Sequence, residues 1–220
     1  RAKLPCWVVI PKGTQPGKIK QSLANGAYIV EVQGNYDACV EKARELAQEK
    51  RLLLCGDYEL RRNGQQSAGE ELAKSKIVFD AFVVPVGNGT LGCAISQGFA
   101  KYNVFPSFIG VQGQGADPIY QAWKNGNTVV PLPQPNTIAS AMNVGNPLDG
   151  NLTLDWVKKT NGLLFSVSDE EITSAQKLLA QTEGIFVEKA AAATVAVLLK
   201  LTNSFFDLVL ILTGSGLKEG

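Results

Sequence analysis

The sequence predicts an α/β fold: a three-layer, mostly parallel sheet with helices on both faces. Three observations lead there. Short apolar runs of strand length alternate with longer segments whose apolar residues recur at helical spacing. The runs are nearly continuous in apolar residues, as in Cys6-Trp7-Val8-Val9-Ile10, which suits strands covered on both faces. Two runs lead straight into glycine-bearing turns, Gly87-Asn88-Gly89-Thr90-Leu91-Gly92 and Thr213-Gly214-Ser215-Gly216. Ligands of open α/β sheets sit beyond the carboxyl ends of strands, where such turns lie.

The elements follow in order. Cys6 to Ile10 predicts a strand, stopped by Pro11-Lys12-Gly13, and Pro16 to Asn25 a short helix ending at Gly26. Ala27 to Val32 is a second strand and Arg51 to Cys55 a third. Between them Tyr36 to Glu49 carries Ala38, Val40, Ala43, Leu46 and Ala47 on one helical face. Gly56 to Asn63 reads as irregular and Gly64 to Lys74 as helical. Phe79 to Val86 is a strand, followed by the glycine turn, a helix to Tyr102 and a strand from Phe108 to Gln112. Asp117 to Asn125 predicts a helix. The three prolines within Thr128 to Pro135 predict a loop. A helix at Leu152 to Thr160 and a strand at Leu163 to Val167 come next. Ser168 and Glu171 have the spacing of a capping box, opening a helix through Gln181. Glu188 to Leu201 is an alanine-rich helix, and Leu208 to Leu212 a final strand.

Composition narrows the function. Lys and Arg total 21 against 20 acidic residues, a net charge of +1 with no basic block, so a nucleic-acid partner is not indicated. No apolar run reaches membrane-spanning length, and the N-terminus lacks a signal-peptide pattern. The chain has no histidine, which excludes Ser-His-Asp and Cys-His nucleophile systems and most zinc sites. Cys6, Cys39, Cys55 and Cys93 are widely spaced within predicted elements and read as buried thiols of a reducing, cytoplasmic compartment. The chain opens at Arg1 directly before a strand and reads as a piece of a longer one.

Strand, glycine turn, helix is an arrangement that gathers backbone N–H groups and a helix N-terminus onto a phosphate. Glycine permits positive φ there and keeps a Cβ from crowding the ligand. Gly87-x-Gly89-x-x-Gly92 also matches a dinucleotide fingerprint, which needs an acid at the end of the next strand. That strand ends at Gln112, and the nearest acid is Asp117. Asn88 and Thr90 put polar side chains into the turn, as suits a single phosphate monoester. A purely structural glycine turn is the remaining reading.

Several segments resemble threonine synthase and its relatives among the tryptophan-synthase-β-like, fold type II pyridoxal-phosphate enzymes. They are Ile10 to Gly13, Val84 to Leu91, Ile109 to Gln112, Ser166 to Ile172, Gly184 to Glu188 and Leu212 to Lys218, in the family's order. The resemblance implies that residues 1–57 belong to a smaller α/β domain and 58–220 to a larger, cofactor-binding one. It implies pyridoxal 5'-phosphate, held at its phosphate by Gly87, Asn88, Gly89, Thr90 and Leu91, with Thr213 bonding the pyridine nitrogen. A neutral hydroxyl there makes the ring a milder electron sink, suited to elimination and replacement at the β or γ carbon.

Arg61 matches an arginine that in threonine synthases helps hold the substrate phosphate. Its setting departs from the family, because Tyr58-Glu59 replaces Asn-Pro and Gly56 a serine. Arg61 and Arg62 also read as a solvated pair. Lys189 and Ala192 replace a proline and a serine or glycine after Glu188. The resemblance places the lysine that carries the cofactor as a Schiff base, in a Lys-Asp-Arg motif, upstream of residue 1, with an asparagine segment that binds the ring. None of the resident lysines sits in a recognisable cofactor context, although Lys189 adjoins Glu188 near the expected site.

The activity implied is conversion of O-phosphohomoserine and water to threonine and phosphate, dormant in this piece alone. The alternatives are a serine or threonine dehydratase and a non-catalytic cofactor-binding module. The implied partner is a small amino-acid substrate, and a homodimer is the assembly open to it.

Overall fold

The computed structural model describes residues 4–55, 59–201 and 207–218. It divides into two compact units, Arg1–Gly56 with Ser215–Gly220, and Asp57–Gly214.

In the first unit β1 (Trp7–Pro11) and β2 (Tyr28–Val32) pair in parallel, joined by α1 (Pro16–Ala24) and followed by α2 (Tyr36–Glu49). Trp7 lies opposite Tyr28, and their rings stack 4.9 Å apart. Asn35 caps α2 by accepting the Ala38 N–H, and the helix buries Cys39 and Leu46. The expected strand at Arg51 to Cys55 is not formed. Arg51 takes a positive φ of 51°, and Leu53 is 80% exposed. An apolar run makes a strand only where a neighbouring strand takes its N–H and C=O groups, and among the described residues no strand pairs with 52–55. The turn at Gly216–Lys218 packs on α1, so residues 215–220, expected with the larger domain, group here by contact.

The second unit opens with α3 (Glu59–Gln65) and α4 (Ser67–Lys74), then β3 (Ala81–Pro85), α5 (Thr90–Ala100), β4 (Ser107–Gly113) and α6 (Pro118–Asn125). After a long loop come α7 (Gly150–Lys159), β5 (Leu163–Val167), α8 (Asp169–Glu183), α9 (Lys189–Leu198) and β6 (Leu208–Leu210). The strand order is β5-β4-β3-β6, with every pair parallel. The period-two alternation of β3 divides the core. Ala81 and Val83 face the alanines of α9 and Ile172 and Ala175 of α8. Phe82 and Val84 face Cys93, Ile95 and Phe99 of α5 and Trp156 of α7. All four strand residues are fully buried, so the sheet is the middle of three layers, as expected.

Two local results bear on the site. Residues 59–63, expected to be irregular, are helical. The backbones of α4 and α5 touch, because a Cβ on Gly69 would overlap the carbonyl of Ile95 and one on Gly98 the carbonyl of Gln66. At Ser168 the capping box forms as expected: its Oγ accepts the Glu171 N–H at 3.3 Å, and Glu171 Oε2 accepts the Ser168 N–H at 2.7 Å. Cys39 and Cys93 are buried, but Cys6 and Cys55 are exposed, contrary to the expectation of four buried thiols. Among the described residues no helix is long and apolar enough to cross a membrane.

Candidate functional site

The site starts where β3 runs out. Val86 N–H still donates to Val111 O at 2.8 Å, and the chain then turns through Gly87, Asn88 and Gly89 into α5. Gly89 caps the helix with a positive φ of 89°, a conformation glycine adopts without strain. Its absent Cβ leaves room for Asp149 and Thr153. Gly87 has no positive φ. A Cβ on it would come 2.8 Å from the carbonyl oxygen of Ala141 and 3.3 Å from Met142 Cα. Both glycines therefore admit neighbouring protein chain behind the turn. That corrects the expectation that they make room for the ligand itself. Asn88 braces the turn from behind: its Oδ1 accepts the Leu148 N–H and its backbone oxygen the Asp149 N–H.

The front of the turn is different. Among the described residues no acceptor takes the backbone N–H of Gly87, Gly89, Thr90 or Leu91. Thr90 is 5% exposed, and its Oγ1 is buried without a partner. No acidic residue stands in the first turn of α5. Buried polar groups are nearly always paired, so orphans mark strain or a place for ordered water or a ligand. Here Thr90 Oγ1, Asn143 Oδ1, Arg62 Nε and Asp149 Oδ2 are all orphans at or beside one turn. The four unpaired backbone N–H groups at this helix N-terminus, with the Thr90 hydroxyl beside them, suit a phosphate dianion.

Thr213 leaves the same edge of the same sheet. Ile211 N–H donates to Val83 O at 2.9 Å, so the chain from β6 runs beside β3 toward the glycine turn. Thr213 is exposed, and its hydroxyl has no partner among the described residues. Next to it Gly214 O accepts the Glu188 N–H at 2.9 Å, and a Cβ on Gly214 would overlap the Glu188 carboxylate.

Sequence reasoning selected Arg61, which is exposed on α3. Its neighbour Arg62 places Nη1 2.5 Å from Asp149 Oδ1, beside the glycine turn. Gly56 and Tyr58, where the family pattern is broken, lie outside the described residues.

Gln112 was noted only as part of a motif. It is fully buried, its Oε1 accepting the N–H groups of Ile119 and Tyr120 and its Nε2 donating to Val86 O. It thus fixes the residue before Gly87. An uncharged, fully engaged side chain at the end of β4 also removes the acid that a dinucleotide ribose needs. The nearest acid, Asp117, accepts from Ser166 and Gln121 instead. Burial pushes the Cys93 thiol, 3.5 Å from Thr153 Oγ1, up to about 12, so it stays protonated and is no nucleophile. Lys189 directs Nζ to Gln176 Oε1 at 3.1 Å, between α8 and α9. A groove lined by Asp117, Gln121, Asn127 and Leu132 contains none of the orphaned atoms.

Residues 1–214 match the family described as pyridoxal-phosphate dependent enzyme. The chain belongs to that family. Its cofactor is pyridoxal 5'-phosphate, and the unpaired cradle fits the phosphate of that group. The threonine synthase of Methanocaldococcus jannaschii is 37% identical over 235 residues, which cover 100% of this chain and 58% of that protein. That of Methanosarcina acetivorans is 38% identical over 92% of this chain and 53% of its own length. The chain thus spans little more than half the length of these relatives. Among solved structures, maize serine racemase superposes with a TM-score of 0.84 at 21% identity, covering 97% of this chain and 66% of that one. A fungal L-serine ammonia-lyase from Rhizomucor miehei gives 0.82 at 22% identity, covering 96% and 70%. The fold they share with this chain is fold type II.

Proposed function

We propose that this chain is part of a cytoplasmic, pyridoxal-phosphate dependent threonine synthase, converting O-phosphohomoserine and water to threonine and phosphate. The observation that carries the reading is the cradle of unpaired N–H groups at Gly87, Gly89, Thr90 and Leu91 around the buried Thr90 hydroxyl. Identity of 37% and 38% to two threonine synthases supports the substrate.

In this reading Gly87 to Leu91 hold the cofactor phosphate, with Thr90 Oγ1 donating beside the backbone N–H groups. Thr213 offers its hydroxyl to the pyridine nitrogen, and because a hydroxyl is neutral it does not hold a proton on that nitrogen as a carboxylate would. The bound cofactor supplies an electron sink for elimination and replacement beyond the α carbon. Gln112 keeps Val86 in place, so the turn meets the phosphate preformed. Arg61, exposed on α3, is assigned to the substrate phosphate. Four free cysteines accord with a reducing compartment.

The test is product analysis with the whole protein of which this chain is part, with added pyridoxal phosphate. Threonine and phosphate released together from O-phosphohomoserine support the reading. Ammonia and a 2-oxo acid from serine or threonine would instead favour a dehydratase, and a visible cofactor band without turnover a binding module. Arg61→Ala should raise KM for O-phosphohomoserine while leaving the cofactor spectrum unchanged. Sedimentation velocity decides whether the full chain is a homodimer.

A further inference from the structure

We propose that Arg62 and Asp149 form a positioning pair that sets the direction of the phosphate-binding turn, an inference that rests on the cradle reading above. The two side chains are 18% and 8% exposed and joined by a single contact, Nη1 to Oδ1. Arg62 Nε and Asp149 Oδ2 are buried and unpaired. A buried ion pair with half its capacity unmet is a poor source of stability, because desolvation offsets the attraction. What such a pair does well is fix register, and its surroundings show what is being registered.

Asp149 touches the turn through its backbone. Its N–H donates to Asn88 O at 3.0 Å. Its carbonyl oxygen lies 3.0 Å from where a Gly89 Cβ would stand, and it accepts the Thr153 hydroxyl at 2.9 Å. The preceding N–H, of Leu148, bonds Asn88 Oδ1. Any shift of Asp149 therefore moves Asn88 and Gly89, and with them the N–H groups that face the phosphate. Arg62 is anchored from the other side. Gln66, just after α3, donates to Asn63 Oδ1 and to Gln97 Oε1 of α5, and its carbonyl packs against Gly98. The contacts close a ring from α5 through α3, Arg62, Asp149 and Asn88 back to the start of α5. Arg62 to Asp149 is the ring's one charged link, and cutting it removes the tie between α3 and the 147–150 turn while leaving that turn's bonds to Asn88. Neither side chain needs to touch the ligand.

The experiment uses the full chain, with pyridoxal phosphate as the probe. Arg62→Met, Asp149→Asn, Arg62→Lys and the double variant R62M/D149L are compared by equilibrium dialysis, by the 31P resonance of the bound phosphate and by melting without cofactor. Arg62→Met and Asp149→Asn should each weaken binding about tenfold and shift the resonance, with Arg62→Lys intermediate. The apolar double variant should regain the melting temperature, since well-packed apolar replacements of buried pairs are tolerated, yet keep the weak binding and the shifted resonance. A double variant with wild-type affinity and resonance overturns the proposal, and that variant decides the matter even if the single ones fold poorly. Gly89→Val separates the two layers. If it leaves the wild-type resonance unchanged, the cradle reading is wrong and the positioning role falls with it. If it moves the resonance while the Arg62 and Asp149 variants do not, only the positioning role is lost.

Discussion

Thr90 and Gly89 make opposite predictions from the same turn. The Thr90 hydroxyl is buried without a partner, so it adds nothing to the cofactor-free protein. Thr90→Val keeps the shape and removes the orphan. The cofactor-free protein should melt at the same temperature or higher, while pyridoxal phosphate binding weakens by about 1.5–3 kcal/mol, the range for a hydrogen bond to a charged group. A variant that loses stability and keeps affinity would place the hydroxyl's role in the fold. Gly89→Val should lower both, by about 1–3 kcal/mol for the strained φ alone, because a Cβ also overlaps Thr153. Calorimetry of the free and the cofactor-bound protein separates the two patterns.

Among the elements, α8 gives the clearest pH dependence. Its capping carboxylate, Glu171, is partly desolvated, which alone would raise its pKa. The Lys200 ammonium and the Ser168 N–H outweigh this and hold it below the usual 4.5. A group lowered on folding stabilises above its unfolded pKa and loses that contribution as pH falls through the folded value. Unfolding free energy should therefore decline as pH falls below about 4.5, and Glu171→Gln should flatten that decline. Ser168→Ala should cost about 0.5–2 kcal/mol at neutral pH, measured by urea unfolding.

Elements of this kind were legible in the sequence because their signals are local. The spacing in Tyr36–Glu49 and the apolar run Leu163–Val167 each identified an element to the residue. Helix α3 was missed, since Arg61, Arg62, Asn63 and Gly64 carry no apolar stripe and the segment is held by its packing on α5. The strand expected at Arg51 to Cys55 failed for the converse reason, apolar residues without a neighbouring strand. The turn at the end of β3 was legible from its glycines. The supports behind it, Arg62 and Asp149, were not, because they come together only when α3 and the 140–150 segment fold onto α5.

For the whole molecule, occupancy of the turn should appear as stability. A ligand at about 100 times its Kd adds about 2.7 kcal/mol, which for a domain of this size raises Tm by roughly 5–10 °C. Pyridoxal phosphate should give that shift in the full chain, and Gly89→Val should abolish it. Lys189, engaged with Gln176, should stay unlabelled when the mixture is reduced with borohydride. A stoichiometric label there would move the reactive amine into this chain. The cradle has one more consequence. The Cβ directions of Gly87 and Gly89 point into protein, so the front of the turn is main chain and one hydroxyl. Such a surface senses charge and size and is blind to what the phosphate is attached to, which leaves the choice of ligand to the Thr213 end. Inorganic phosphate, a product of the proposed reaction, should then compete for the anchor. Reconstitution with pyridoxal phosphate should slow in phosphate buffer relative to chloride of equal ionic strength. Equal rates in the two buffers would place the anchor elsewhere.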